Sequence, residues 1–313
     1  MTAARVGAAI DVGSNSVHLL VAAIGRTRLR PLVDESVQLG LGSVVDRKGR
    51  LGVAGRRQAV EVLQGYVARA RSLGAVHVTI VGTEPLRRAA DRSALHADVL
   101  RSTGVAMRVL THEEEAALTL LGVTGGGPMP RSLLVLDIGG GSTELIVAGA
   151  GADPVVGAFA VGSARLAAAF IHEDPPAPDE IAALRLQATR LLATMPQAGP
   201  DAAVIAGGTG TNTNRLLGRL RHAALDARQL DRALAELTAH PAAELSERTG
   251  LTERRIRQLP AGITLVAAAL ARYELKRIAP SDASLREGAI HAAARAGDAW
   301  PDRLGALIGG PGS

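Results

Sequence analysis

An apolar run from Val6 to Val12 breaks at Gly13-Ser14-Asn15, and a second run leaves from Val17. The same figure returns where Leu133 to Ile138 enters Gly139-Gly140-Gly141 and a new run leaves from Leu145. Two apolar runs joined by a few small residues predict a strand, a tight turn and a strand. The first half continues with a candidate strand over 29–39, helical apolar spacing over 53–73 and a strand over 76–82. A helical stretch over 83–103, a strand over 105–110 and a helix over 112–123 follow. The second half repeats the order, with strands at 133–138, 143–149 and 153–160, helices at 163–171 and 179–195, a strand at 202–206 and a helix from 210. Beyond Gly218 the pattern is mostly helical, with breaks expected at Pro241 and Pro260 and a final helix over 285–296.

The repeat is also one of residues. Asp11-Val-Gly-Ser-Asn-Ser-Val-His-Leu-Leu-Val-Ala aligns with Asp137-Ile-Gly-Gly-Gly-Ser-Thr-Glu-Leu-Ile-Val-Ala at a displacement of 126 positions, with Asp, Gly, Ser, Leu, Val and Ala in common. Two copies of three strands followed by alternating helix and strand predict a duplicated α/β fold with mixed sheets. The expected domains are 1–127 and 128–300, with the final helix 285–296 able to pack back on the first, and a loose tail over 301–313. Gly125-Gly126-Gly127-Pro128 is the expected hinge, and domain closure the expected motion.

Composition narrows the chemistry. The 313 residues carry no cysteine, which removes disulfides, thiol nucleophiles and cysteine-bound metal. No two histidines stand three or four apart, so a helix-borne zinc motif is missing too, and any metal should be a hard cation on oxygen. One Trp, two Tyr and two Phe do not make a stacking platform for single strands, so nucleic acid is not expected as a partner. The net charge of +5 is an arginine effect, since only Lys48 and Lys276 are lysine, and it suits an anionic ligand. No segment approaches the roughly 20 apolar residues of a membrane helix, so no membrane partner is expected and the location should be cytoplasmic.

Several segments have the parts of a phosphate site. A turn of small residues after a strand offers consecutive backbone N–H groups, and a carboxylate at the strand end can hold a metal or a water beside the phosphate. Asp137-Ile-Gly-Gly-Gly-Ser-Thr fits, against the plainer reading as a hairpin turn; Asp11-Val-Gly-Ser-Asn-Ser is its weaker copy. Gly207-Gly-Thr-Gly-Thr-Asn follows a strand and opens a helix, where an anion is favoured, although an ordinary capped turn would look the same. Thr83 and Arg87 also follow a strand, at a spacing that would bring the guanidinium over a helix start. Glu113, Glu114 and Glu115 open the helix after Thr111; a capping box accounts for Glu114 and leaves Glu115 as a candidate general base.

Taken together, Asp11-Val-Gly-Ser-Asn-Ser-Val-His-Leu, Val81-Gly-Thr-Glu-Pro-Leu-Arg87, Glu114-Glu-Ala, Asp137-Ile-Gly-Gly-Gly-Ser-Thr-Glu144, Gly207-Gly-Thr-Gly-Thr and Leu285-Arg-Glu-Gly288 resemble the exopolyphosphatase and guanosine pentaphosphate phosphohydrolase family, in order and over residues 6 to about 295. The resemblance implies two actin-like, ribonuclease H-like domains whose mixed sheets face a central cleft. It implies a hydrolase with catalytic residues Glu115, Asp137 and Glu144, where Glu115 activates water. Asp137, Glu144 and Asp11 would hold Mg2+ or another divalent cation. Phosphate would meet Ser14, Asn15, Ser16, Thr83, Arg87, Gly139, Gly140, Gly141, Ser142, Thr143, Gly208 and Thr209. The implied substrate is inorganic polyphosphate or guanosine pentaphosphate, and a homodimer is compatible with it. Two departures stand out: His112 sits where members often have glycine, and no His-Asp dipeptide marks the further helical domain of long members, which points toward short chains. A kinase of the same superfamily and a non-catalytic polyphosphate sensor are the rival readings.

Overall fold

The computed structural model describes residues 5–25, 28–127, 131–149 and 152–308. The chain forms two compact units, one running to Pro128 and resuming at Ala283, the other spanning Met129–Asp282.

The first unit opens with β1 (Val6–Val12), β2 (Ser16–Ile24) and β3 (Leu29–Gln38), followed by α1 (Leu41–Lys48), α2 (Gly52–Ser72), β4 (Ala75–Gly82), α3 (Glu84–Arg88), α4 (Arg92–Thr103), β5 (Met107–Val109) and α5 (His112–Thr124). Its sheet runs β3-β2-β1-β4-β5, with β1 antiparallel to β2 and parallel to β4. Because side chains alternate along a strand, Ala8, Ile10, Leu19 and Val21 join one core with residues of α2 and α4. Ala9, Leu20 and Ala22 face the other way, onto Leu118 and Leu121 of α5.

The second unit repeats the plan with β6 (Leu133–Ile138), β7 (Thr143–Gly149), β8 (Ala152–Phe159), α6 (Ser163–Phe170), α7 (Pro178–Ala193), β9 (Ala202–Ala206) and α8 (Gly208–Leu216). It then adds α9 (Ala227–Ala239), α10 (Ala242–Thr249), α11 (Glu253–Arg272) and the short β10 (Ala279–Pro280). Its sheet, β10-β9-β6-β7-β8, has the strand order and directions of the first, which is the duplication that the repeat predicted and the actin-like arrangement that the resemblance implied. Leu134, Leu136, Leu145 and Ile205 pack with apolar residues of α6, α7 and α11. From Ala283 the chain returns to the first unit, where α12 (Leu285–Ala296) and α13 (Trp300–Ile308) complete the layer begun by α5.

The elements differ from the sequence reading at four places. The stretch 83–103 divides into α3 and α4, because Asp91 turns its carboxylate to the N–H groups of Leu51 and Gly52, each at 2.9 Å, and to Arg56. Pro260 does not break a helix but lies inside α11, where Leu259, Ala261 and Ile263 are buried around it. A glycine-led helix, α1, carries too short an apolar pattern to be read in advance. The expected loose tail is helical as far as Ile308, since Trp300 and Leu304 are buried against α5 and α12; residues 309–313 lie outside the described residues. Of the expected hinge, Gly125 closes α5 in the left-handed conformation, and its carbonyl accepts from Arg295 at 2.5 Å; Pro128 lies outside the described residues. No described helix is long and apolar enough to cross a membrane.

Candidate functional site

In the first unit the chemistry gathers at the carboxyl ends of β1 and β4 and the start of α5. Asp11 ends β1 on the sheet face that α5 covers. The turn after it closes through Gly13 N–H to Ser16 O at 3.1 Å. Its side chains are already engaged: Ser14 Oγ donates to Glu84 Oε2 at 3.1 Å, and Ser16 Oγ lies 2.6 Å from His18 Nε2. The Asn15 carbonyl accepts from the amides of Leu39 and Gly40, which pins the turn to the chain leaving β3. Thr83 bonds Val12 O through its amide at 3.2 Å and its hydroxyl at 3.4 Å, tying the start of α3 to the end of β1.

Arg87 is placed by that helix start. Its Nη1 donates to Leu110 O at 3.0 Å and to Glu115 Oε2 at 2.6 Å, and its Nη2 stands 3.1 Å from His112 Nδ1. Burial first, and the Arg87 charge second, lower the pKa of His112, so the imidazole is neutral near pH 7 and Nδ1 accepts from Arg87. The capping box of α5 forms as its sequence predicts, Thr111 Oγ1 accepting from Glu114 N–H and Glu114 returning to Thr111 N–H. Glu115 is left out of the cap and buried, facing Arg87.

In the second unit Asp137 and Glu144 are directly paired across β6 and β7, so both carboxylates stand on one face of the sheet. At the corresponding place in the first unit Asp11 is paired with His18, so only the second hairpin presents two carboxylates. The turn between them closes through Gly139 N–H to Ser142 O at 3.0 Å. Thr143 is fully buried and donates to Val161 O at 3.0 Å, so its hydroxyl holds the loop before α6. Gly207 caps α8 with φ 79°, and a Cβ there would stand 3.5 Å from Asp137 Oδ1, so this loop lies against the same carboxylate. Gly208 and Thr209 form the first turn of α8, with Arg255 Nη1 3.1 Å from where a Gly208 Cβ would be.

Thus the structure brings Ser14, Asn15, Ser16, Thr83, Arg87 and Glu115 together with Asp11 in one unit, and Asp137, Gly139 to Ser142, Glu144, Gly208 and Thr209 together in the other. Sequence reasoning passed over Glu84, Arg165 and Arg255. Glu84 lies inside the Val81 to Arg87 motif and the other two lie outside every motif quoted above; the role of each depends on which atom of a distant segment it reaches.

Comparison with known proteins bears on both halves. Residues 20–295 match the Ppx/GppA phosphatase family. Exopolyphosphatase 1 of Mycobacterium tuberculosis is 29% identical over 296 residues, covering 90% of this chain and 86% of that protein. The Ppx/GppA family member of Aquifex aeolicus superposes with a TM-score of 0.83 at 26% identity, covering 93% of this chain and 98% of that one. An exopolyphosphatase of Cytophaga hutchinsonii shares the fold, with a TM-score of 0.77 at 23% identity over 91% of this chain and 96% of its own. A match that runs through every motif from the second strand to α12 leaves one assignment: the chain is a member of the Ppx/GppA phosphatase family and a hydrolase.

Proposed function

We propose that the protein is a metal-assisted exopolyphosphatase that removes the terminal phosphate of inorganic polyphosphate, with Glu115 as general base. The observation that carries this reading is the pairing of the buried Glu115 carboxylate with Arg87 at 2.6 Å, in the first turn of α5 and outside its cap. A general base needs a carboxylate held in one position beside the water it activates, and Arg87 holds this one. In the proposed step a water oxygen attacks the terminal phosphorus while its proton passes to Glu115. The bridging P–O bond breaks, giving orthophosphate and a chain one phosphate shorter. Backbone amides of Gly140, Gly141 and Ser142 and of the first turn of α8 hold phosphate oxygens, together with Arg87.

Asp137 and Glu144 fit a hard divalent cation: they are paired acidic oxygen donors on one sheet face, and magnesium needs only one or two carboxylates beside phosphate oxygens. Bound there, the cation would neutralise charge on the phosphate chain.

The test is orthophosphate release from short and long polyphosphate, guanosine pentaphosphate and ATP, with and without magnesium, for wild type beside Glu115→Gln. The variant should lose about 10²- to 10⁴-fold in kcat with KM within a few-fold. Full activity in the variant removes Glu115 from the reaction, and turnover confined to guanosine pentaphosphate replaces the substrate.

A further inference from the structure

Three consecutive carbonyls of the β6–β7 turn accept hydrogen bonds from the start of α6. Ser163 donates to Gly139 O through its amide at 2.9 Å and its hydroxyl at 3.1 Å. The amides of Ala164 and Arg165 donate to Gly140 O at 3.1 and 3.2 Å. Arg165 Nη1 then donates to Gly141 O at 3.2 Å and to Ala160 O at 2.6 Å, tying the turn to the chain leaving β8. The approach is close enough that a Cβ on Gly162 would stand 2.3 Å from Gly139 O.

Across a trans peptide the C=O and the following N–H point in opposite directions. Carbonyls 139, 140 and 141 drawn toward α6 therefore turn the amides of Gly140, Gly141 and Ser142 away from it, as a row of donors suited to an anion. The first N–H groups of α6 are spent on these carbonyls, so its positive end polarises the turn rather than meeting a ligand itself. Backbone donors fix the first two peptides. The third, between Gly141 and Ser142, is gripped by the Arg165 side chain.

We propose that Arg165 is a positioning residue for substrate: its guanidinium fixes the Gly141–Ser142 peptide and so aims the Ser142 amide at a phosphate oxygen. The inference rests on the reading of this turn as a phosphate site. It is tested on the full chain by calorimetric titration with tripolyphosphate in the absence of divalent cation, and by steady-state hydrolysis with magnesium.

Arg165→Met should weaken tripolyphosphate binding and raise KM by roughly tenfold, the worth of one hydrogen bond to a charged group, with kcat within about threefold. Arg165→Lys, which keeps a charge-assisted donor, should fall between the two, and the thermal midpoints should stay together. Unchanged affinity in Arg165→Met overturns the proposal, as does weakened affinity that tracks a fall in thermal midpoint in both variants. If the Met variant does not fold, the Lys variant decides by the same two readings. A wild type that binds tripolyphosphate through Arg165 but hydrolyses nothing would end the enzymatic reading and leave this one standing; a wild type that does neither ends both.

Discussion

Arg87 donates to the Leu110 carbonyl and the Glu115 carboxylate from one nitrogen and to His112 from the other, so one side chain links the base candidate to the His112 imidazole. Hydroxyls that the motif makes attractive as phosphate ligands do other work: Ser14 serves Glu84, Thr83 serves Val12 O and Thr143 serves Val161 O. In the proposed site phosphate oxygens meet backbone amides and Arg87 instead, which suits a motif written in small residues. Away from the site, His291 on α12 is buried, and burial, followed by the Arg295 charge, lowers its pKa from 6.5 to about 4. The unfolded chain then binds more protons than the folded one between those values, so stability rises with pH through that window and is complete above it. The difference amounts to about 3 kcal/mol once His291 is forced to charge. Urea midpoints taken stepwise from pH 7 to pH 4 should fall less steeply for His291→Gln than for wild type; equal slopes would show that other groups control the acid limb.

At the level of elements, the crossing of α5 and α12 decides where Glu115 sits. A Cβ on Gly288 would stand 1.8 Å from Leu118 O, and one on Gly122 1.9 Å from Ser284 O, so the two backbones touch at paired glycines. Helix propensity alone favours alanine over glycine by about 1 kcal/mol. A backbone clash on this scale cannot be relieved by a rotamer change and must separate the helices, at about 3 kcal/mol or more. Gly288→Ala is therefore expected to lower stability in chemical denaturation and to reduce hydrolysis by displacing α5. Equal or higher stability would mean that the helices are not in contact here. The Leu-Arg-Glu-Gly motif thus ends in glycine for a packing reason, which its position in the sequence does not reveal. The division of 83–103 into α3 and α4 has a similar origin, since it depends on what Asp91 reaches about 40 residues away.

At the level of the whole molecule, the first unit is discontinuous: α12 and α13 arrive from the far end of the chain to cover Ala9, Leu20, Ala22 and Val81. Trp300, the single tryptophan, is buried in this layer with the Arg108 guanidinium 5.9 Å from its ring. Its fluorescence should be blue-shifted in the native protein and should move red in one transition as urea unfolds the first unit. A solvent-like emission before any denaturant would return the segment to the loose tail its composition suggests. The sequence by itself determined the duplication, the order of strands and helices, the capping box of α5 and the family motifs, because these depend on side-chain periodicity and on spacings within a few residues. It did not determine that Pro260 lies within a helix, that 300–308 folds back, that Arg87 holds Glu115 or that Arg165 grips the glycine turn. Those depend on contacts between residues far apart in the chain, whose free energy exists only once the strands and helices have packed, and only the tertiary structure decided them.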